Sequence, residues 1–341
     1  MWIDCHADTL LKKWLEEHRM RMVSEEFTGE FQDEYHATTD LLLAGGIDVQ
    51  VAAAWAPVGF ETSGLEIVLE KFGILYAEVQ NNPNVFQIKR KSDFAKVQDK
   101  NKLGYIFAIE GAAPLGNNLK LLPALYELGV RVITLVWSRK NMFAEGVYLP
   151  GFGASGLSAS EAQKGDDLER GEGLSELGKQ LVVMMNELGI AIDVSHLNRK
   201  GFQDVAKYSK GPFIASHSCA FSLNNHQRNL SDKQIKQIAA AGGCIGINFS
   251  QEFLVADPKN EPATIDDVVE HMVYIAELVG VDYVSLGSDF DGIDQGPVGL
   301  ENAKKFKDIP PRLKDKGYSN KDIDKLMGEN WHRVFREIWI S

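Results

Sequence analysis

Short runs of aliphatic and β-branched residues alternate along the chain with longer stretches whose apolar positions recur every three or four residues. Eight short runs read as strands: 2–8, 48–55, 104–110, 130–137, 190–196, 213–217, 244–249 and 283–289. Most are nearly continuous in Val, Ile, Leu, Ala and Phe, the pattern of parallel strands covered on both faces. The helical stretches between them are 65–80, 119–128, 175–188, 200–208, 231–241, 265–279 and 320–338. Several carry their own punctuation. Ser175 is placed to cap the start of its helix, and Gly129, Gly189, Gly242 and Gly280 follow helix ends. The first connection is less regular, with helical patterns at 10–21 and 39–44.

Eight strands alternating with helices predict an α/β fold, a parallel sheet closed into a (β/α)8 TIM barrel. An open doubly wound sheet is the rival, but no Gly-x-Gly-x-x-Gly follows the first strand. No repeat, low-complexity segment or break in composition divides the chain, so a single domain over 1–341 is expected. Two long connections stand out, 16–38 and 141–173. Loops of that length are usually lids or disordered segments, and in a barrel the loops after strands line the active face.

Composition narrows the function classes. At 44% hydrophobic and 25% charged, this is the composition of a water-soluble globular protein. No run of about 18 apolar residues could span a bilayer, and no basic region followed by an apolar core begins the chain. Cys5, Cys219 and Cys244 are too few for a disulfide framework and read as small buried hydrophobes. A cytoplasmic protein is expected. A net charge of −12 argues against nucleic acid or an anionic membrane as partner.

The chemistry collects at the ends of strands. In Ile3-Asp4-Cys5-His6-Ala7-Asp8 strict alternation places Asp4, His6 and Asp8 on one face and Ile3, Cys5 and Ala7 on the other. Strand three ends at Glu110, strand five at His196, strand six at His217 and strand eight at Asp289. Each residue alone is commonplace. Together, His6, Asp8, Glu110, His196, His217 and Asp289 all fall at carboxyl ends, where barrel enzymes place their chemistry. Three His, two Asp and one Glu suit Zn²⁺, with Mn²⁺, Fe²⁺ or Co²⁺ as alternatives. One catalytic zinc needs only three protein ligands, so six candidates point to two ions about 3.5–4 Å apart. Glu110, on the strand between the two groups, is the natural bridge, and Asp289 is left as a proton shuttle. His18, His36, His226, His271 and His332 read as surface or capping histidines.

The carrying segments are 4–8, Ile109-Glu110-Gly111, 173–178, 192–196, Ser216-His217-Ser218, Arg228-Asn229 and 287–292. With separations of 21 from His196 to His217 and 11 from His217 to Arg228, they resemble the membrane (renal) dipeptidase family. These are zinc metallopeptidases, peptidase family M19, on an amidohydrolase-like barrel, and this chain looks like a soluble bacterial-type member. The resemblance covers nearly the whole chain. It implies that His6 and Asp8 bind one zinc, His196 and His217 the other, and Glu110 both. It implies that Asp289 relays the proton of a metal-bridging hydroxide and that Arg228 pairs with the substrate's terminal carboxylate. The implied reaction is hydrolysis of dipeptides, including those with a C-terminal D-residue. Family members are commonly dimers, so a homodimer is a further expectation.

Two positions depart from the family. Trp137 stands where mammalian members have a histidine, which shifts oxyanion stabilisation to the metals, to Asn141 or to the Trp137 indole. Phe253 replaces a tyrosine near the substrate carboxylate. Two other readings stay open: a binuclear amidohydrolase acting on another small amide or lactone, and a metal-binding barrel without activity. Asp4 is expected to lie deeper in the barrel and support the ligands.

Overall fold

Parallel pairing accounts for the strands among the described residues, which are 1–18, 34–57, 63–147 and 171–340 of this computed structural model. The strands are β1 (Ile3–Ala7), β2 (Val49–Trp55), β3 (Val85–Gln87), β4 (Leu103–Glu110), β5 (Val130–Thr134), β6 (Ala191–Asp193), β7 (Ile245–Ile247) and β8 (Val284–Leu286). They pair in the order β6-β5-β4-β2-β1-β8-β7, with β3 joined only to β4. Apart from β3, every strand residue is buried, as the near-continuous apolar runs require.

The predicted strand 213–217 makes no ladder. Single parallel bridges tie it in, Asp193 to Ile214 on one side and Ala215 to Ile245 on the other. The Ile214 N–H donates to Ile192 O at 2.9 Å, and the Gly246 N–H donates to Ala215 O at 2.8 Å. The sheet is thus a curled path of seven parallel strands, and both of its end strands bond to the same short segment. Seven of the eight predicted strands are ladders, most of them shorter than expected. Pairing stops where the chain turns out to form loops, so 130–137 shortens to Val130–Thr134. β3 was not expected. Its three residues pair with Leu103–Tyr105 of β4, below Phe107, where pairing to β5 begins. A ladder that short is set by its partner and leaves no period of its own.

Helices cover the outside of the sheet, and their ends follow local chemistry. The Ser175 hydroxyl accepts the Gly178 N–H at 3.0 Å and starts helix Glu176–Leu188, which stops at Gly189 with φ 72°. Ser231 with Gln234, and Thr264 with Asp267, form capping boxes at Asp232–Ala240 and Ile265–Val279. The stretch 119–128 opens as a tight 3-10 turn before helix Leu122–Leu128. Most of the long connections 16–38 and 141–173, and with them the question of a lid, lies outside the described residues. No helix among the described residues is long and apolar enough to cross a membrane. All three cysteines are buried and free.

Strict alternation does not run through β1. Ile3 and Cys5 pack with Val49, Val51 and Ile106, whereas Ala7 joins the larger cluster with Ala52, Phe107 and Ile109. The register of β1 against β2 shifts between Asp4 and Ala7, which turns the end of the strand relative to its start.

The last helical stretch is also broken. Helix Asn320–Asp324 leads into a wide turn, Lys325–Glu329, before helix Asn330–Ile338. Gly328 in that turn has φ 155°, and a Cβ there would overlap the Ile3 backbone nitrogen. Beyond the break, Trp331 Nε1 donates to Leu286 O at 2.8 Å, and Asn330 Nδ2 donates to Val281 O and Val284 O. The break lets the final helix seat Trp331 and Phe335 against Ile3 and Val49. Replacing Gly328 by Ala, which neither fits this conformation nor this contact, is expected to cost at least about 2 kcal/mol in urea unfolding.

Candidate metal centre

The strand ends bring the predicted residues together. His6 Nε2 lies 3.5 Å from Asp8 Oδ2, 3.7 Å from Glu110 Oε1 and 3.7 Å from Asp289 Oδ1. Glu110 Oε1 lies 2.9 Å from His196 Nε2 and 3.5 Å from His217 Nε2. Three overlapping triads, His6–Asp8–Glu110, Glu110–His196–His217 and His6–His217–Asp289, each place their ligand atoms within 4.8 Å of one another. Glu110 belongs to two of them. Five of the six side chains are almost wholly buried, and Asp289 is slightly more open.

Backbone strain is concentrated here. His196 (φ 67°), Asp289 (φ 63°) and Asp291 (φ 66°) are the non-glycine residues with positive φ among the described residues. Each costs about 1–3 kcal/mol and persists only where the surroundings hold it. Gly292 makes room for the turn, since a Cβ there would lie 2.5 Å from Asp8 Oδ2 and 2.8 Å from Asp289 Oδ1.

Hydrogen bonds behind the cluster orient its imidazoles. Asp193 Oδ2 accepts the hydroxyls of Thr134 and Ser216, both at 2.6 Å, and its Oδ1 accepts the N–H groups of Ser195 and Ser216. Ser216 has therefore spent its proton on Asp193. His217 Nδ1, 2.7 Å from the Ser216 hydroxyl, must be the donor there. That leaves the His217 Nε2 lone pair facing Glu110 and His196. Ser138 Oγ lies 2.9 Å from His196 Nδ1 and turns that ring's Nε2 the same way. Asp4 accepts the Ser288 N–H at 2.8 Å and the Ser288 hydroxyl at 2.6 Å, and so holds the loop that presents Asp289. Asn248 Nδ2 donates to Asp289 Oδ2 at 2.8 Å.

The electrostatics show what is missing from this set. Burial opposes a charge on His6, yet Glu110, Asp8 and Asp289 outweigh it and raise the imidazole to about 10. Burial, followed by the charge of Asp8, holds Glu110 well above the carboxylate range. Burial, with Arg228 and His6, pushes His196 and His217 well below theirs. Asp289 is raised to about 6 by burial. His6 Nε2 and Asp8 Oδ1 are buried with no hydrogen-bond partner. Unpaired ligand atoms inside a ring of nitrogen and oxygen donors fit divalent cations.

Arg228 lies beside the cluster, buried, its Nη2 donating to His217 O at 3.3 Å and its Nε without a partner. Its guanidinium carbon sits 5.3 Å from the centre of the Phe253 ring. The Trp137 ring lies 4.9 Å from that of Trp55, tilted by 48°, and 6.0 Å from the His196 ring. Asn141 is not placed to serve an oxyanion. Its Nδ2 donates to Leu135 O, and its Oδ1 accepts the N–H groups of Phe143 and Ala144.

Two of the histidines read as surface or capping groups are buried. His271 Nδ1 accepts the Ala220 N–H while its Nε2 meets Leu254 O. His36 Nδ1 accepts the N–H of Asp291, whose carboxylate accepts the N–H groups of His36 and Ala37 and lies 3.3 Å from Lys12 Nζ. Sequence reading missed Asn248, Asp193, Ser216 and Ser138 because it sought titratable strand ends. Asn248, a polar residue closing the apolar run 244–249, carried the same signal.

The family model for membrane dipeptidases (peptidase family M19) matches residues 1–339. The chain belongs to this family. An uncharacterised dipeptidase of Schizosaccharomyces pombe is 34% identical over 244 residues, 71% of this chain and 55% of that protein. A dipeptidase of Claviceps purpurea is 31% identical over 73% of this chain and 54% of its own length. The chain thus spans about half the length of these two curated relatives. A Klebsiella pneumoniae protein encoded in the pqqA 5′ region is 34% identical over 73% of this chain and 87% of its own length. Among solved structures, a Rhodobacter sphaeroides metallopeptidase liganded with a phosphinate mimic of the dipeptide L-Ala-D-Ala superposes with a TM-score of 0.85. It is 26% identical, with 99% of each chain covered.

His226, beside Arg228 and Phe253, gives a pH signature. Its ring lies 4.6 Å from that of Phe253, and its Nδ1 accepts the Arg228 N–H. Burial, followed by the charge of Arg228, lowers it to about 4. The unfolded chain therefore binds the extra proton between about pH 6.5 and 4, and stability is lost as pH falls through that window. Urea unfolding should show a His226→Gln variant losing about 1–3 kcal/mol less than the wild type between pH 7 and 4.

Proposed function

We propose that this protein is a metal-dependent dipeptidase whose centre takes two zinc ions. The observation that carries this reading is the convergence of three imidazoles and three carboxylates, with buried unpartnered ligand atoms, next to a buried guanidinium with an unpartnered N–H. His6 and Asp8 would hold one ion and His196 and His217 the other, with Glu110 placed to serve either. When bound there, such ions would supply an acidified water and Lewis acidity toward the scissile carbonyl.

The chain's own groups do the rest. Asp289 is anchored through Oδ2 by Asn248 and through its backbone N–H by His6 O at 3.0 Å, which leaves Oδ1 turned toward His6. That oxygen is placed to take the attacking water's proton and return it to the leaving amine. Arg228 offers its remaining N–H groups to the C-terminal carboxylate of the substrate, a pairing suited to its planar fork. That anchor limits substrates to short peptides. Asn141 being engaged elsewhere, oxyanion stabilisation falls to the metals and the Trp137 side of the pocket. The phosphinate complex of the Rhodobacter relative supports acceptance of a C-terminal D-residue. The segment 213–217, bonded to both β6 and β7, supports reading the sheet as an eight-strand barrel in one domain over 1–341.

Treatment with a strong chelator is expected to abolish hydrolysis of a small panel of L,L and L,D dipeptides, and added zinc to restore it. Persistent turnover without metal would sink the reading. Asp289→Asn should lower kcat by about 10²–10⁴-fold while the zinc content stays unchanged. Wild-type turnover in that variant would remove Asp289 from the proton path.

A further inference from the structure

Helix Gly64–Asn81 turns a lysine into the protein. Lys71 is completely buried, on the face that also carries Ile67, Val68, Phe72 and Leu75. A buried ammonium is costly unless it is compensated. Its Nζ donates to the Trp55 carbonyl oxygen at 2.6 Å and lies 5.6 Å from the centre of the Trp14 ring. Both contacts favour the cation, and no carboxylate among the described residues forms an ion pair with it. A methionine or leucine would fill the same space without the cost of burying a charge, so packing alone does not account for a lysine.

The position of Trp55 gives the charge a purpose. Trp55 is the last residue of β2, and β2 lies between β1 and β4. Those neighbours lead to Asp8 and Glu110, and Trp55 is in register with Glu110 itself. Lys71 therefore caps the one strand end in this part of the sheet that brings no candidate ligand, between two that do. Burial pulls its pKa down to about 8, and the charges of Asp8 and Glu110 pull it back toward the charged form.

We infer that Lys71 is a positioning residue of the metal centre, a fixed positive charge behind the Asp8–Glu110 side. It offsets negative charge on that side when cations are absent and weakens the hold on cations when they are bound. Nearby like charges oppose an incoming divalent ion, and in a buried setting that opposition is poorly screened. This inference rests on the reading of the cluster as a metal centre.

Zinc affinity, measured by competition with a chromogenic chelator at one fixed pH, tests it on the full chain. Lys71→Gln removes the charge and keeps a donor for the Trp55 carbonyl, Lys71→Met removes both, and Lys71→Arg keeps the charge. The Gln and Met variants are expected to bind zinc at least about tenfold more tightly than the wild type, about 1.4 kcal/mol. The Arg variant should stay within twofold. A purely structural lysine would give the opposite sign, with looser binding on removal. A Gln variant with the wild-type circular dichroism spectrum that binds zinc within twofold of the wild type, or more weakly, overturns the inference. A wild-type protein that binds no zinc overturns the metal-centre reading itself, and this inference with it.

Discussion

Like charges brought together away from water repel one another, and the architecture of this protein is arranged around that repulsion. Asp8, Glu110 and Asp289 meet within a few ångströms, with three imidazoles threaded between them. In a medium of low effective dielectric such a group cannot carry all its charges uncompensated. The displaced pKa values of His6, Glu110, His196 and His217 are the signature of that conflict. A divalent cation resolves it with one stroke, as hydrogen bonds alone do not: His6 Nε2 and Asp8 Oδ1 stay without partners. The chain itself also buries two cations, Arg228 against His217 and Lys71 against the end of β2.

A cluster of this kind holds its shape only if each member is prevented from turning away. Parallel pairing does the first part, because it points every strand's carboxyl end toward the same side of the sheet. The second part falls to neutral and buried acidic groups beneath. Asp193 gathers four donors from Thr134, Ser195 and Ser216, and through Ser216 it fixes which nitrogen of His217 bears the proton. Asp4 fastens Ser288, and Asn248 fastens Asp289. The three left-handed residues, His196, Asp289 and Asp291, sit on loops clamped in this way. Asp291 extends the clamp to His36, Ala37 and Lys12, so the same turn that presents Asp289 also ties down the chain leading into helix Thr39–Gly45.

The family assignment and the geometry inform each other. Membership over residues 1–339 makes the strand-end residues worth assembling, and the structure shows them within reach of one another. Trp137 and Phe253 both touch groups beside the cluster. Trp137 lies tilted against Trp55, the residue held by Lys71, so the side of the cluster near His196 is linked through a strand end to the buried ammonium. Phe253 packs between His226 and Arg228 and adds no hydroxyl beside the guanidinium.

The amino-acid sequence by itself determined the alternation of strands and helices, most helix ends and the six polar residues that close apolar runs. These are local properties: periodicity, a serine or threonine at a cap, a glycine that accepts positive φ, a charge where a buried strand stops. Ser175 with Gly189 and Thr264 with Gly280 delimit their helices without help from elsewhere. Tertiary structure alone decided what depends on who lies next to whom. The segment 213–217 is joined by bridges and not by a ladder, because its neighbours β6 and β7 meet it for only a residue or two. The last helix breaks at Gly328 because the Ile3 backbone passes there. His36 and His271 are buried partners of distant backbone groups, and Asn141 is consumed by its own loop. Lys71 is the plainest case. On the helix it is one polar residue among apolar neighbours, and only the adjacency of β1, β2 and β4 makes it the charge behind the metal site.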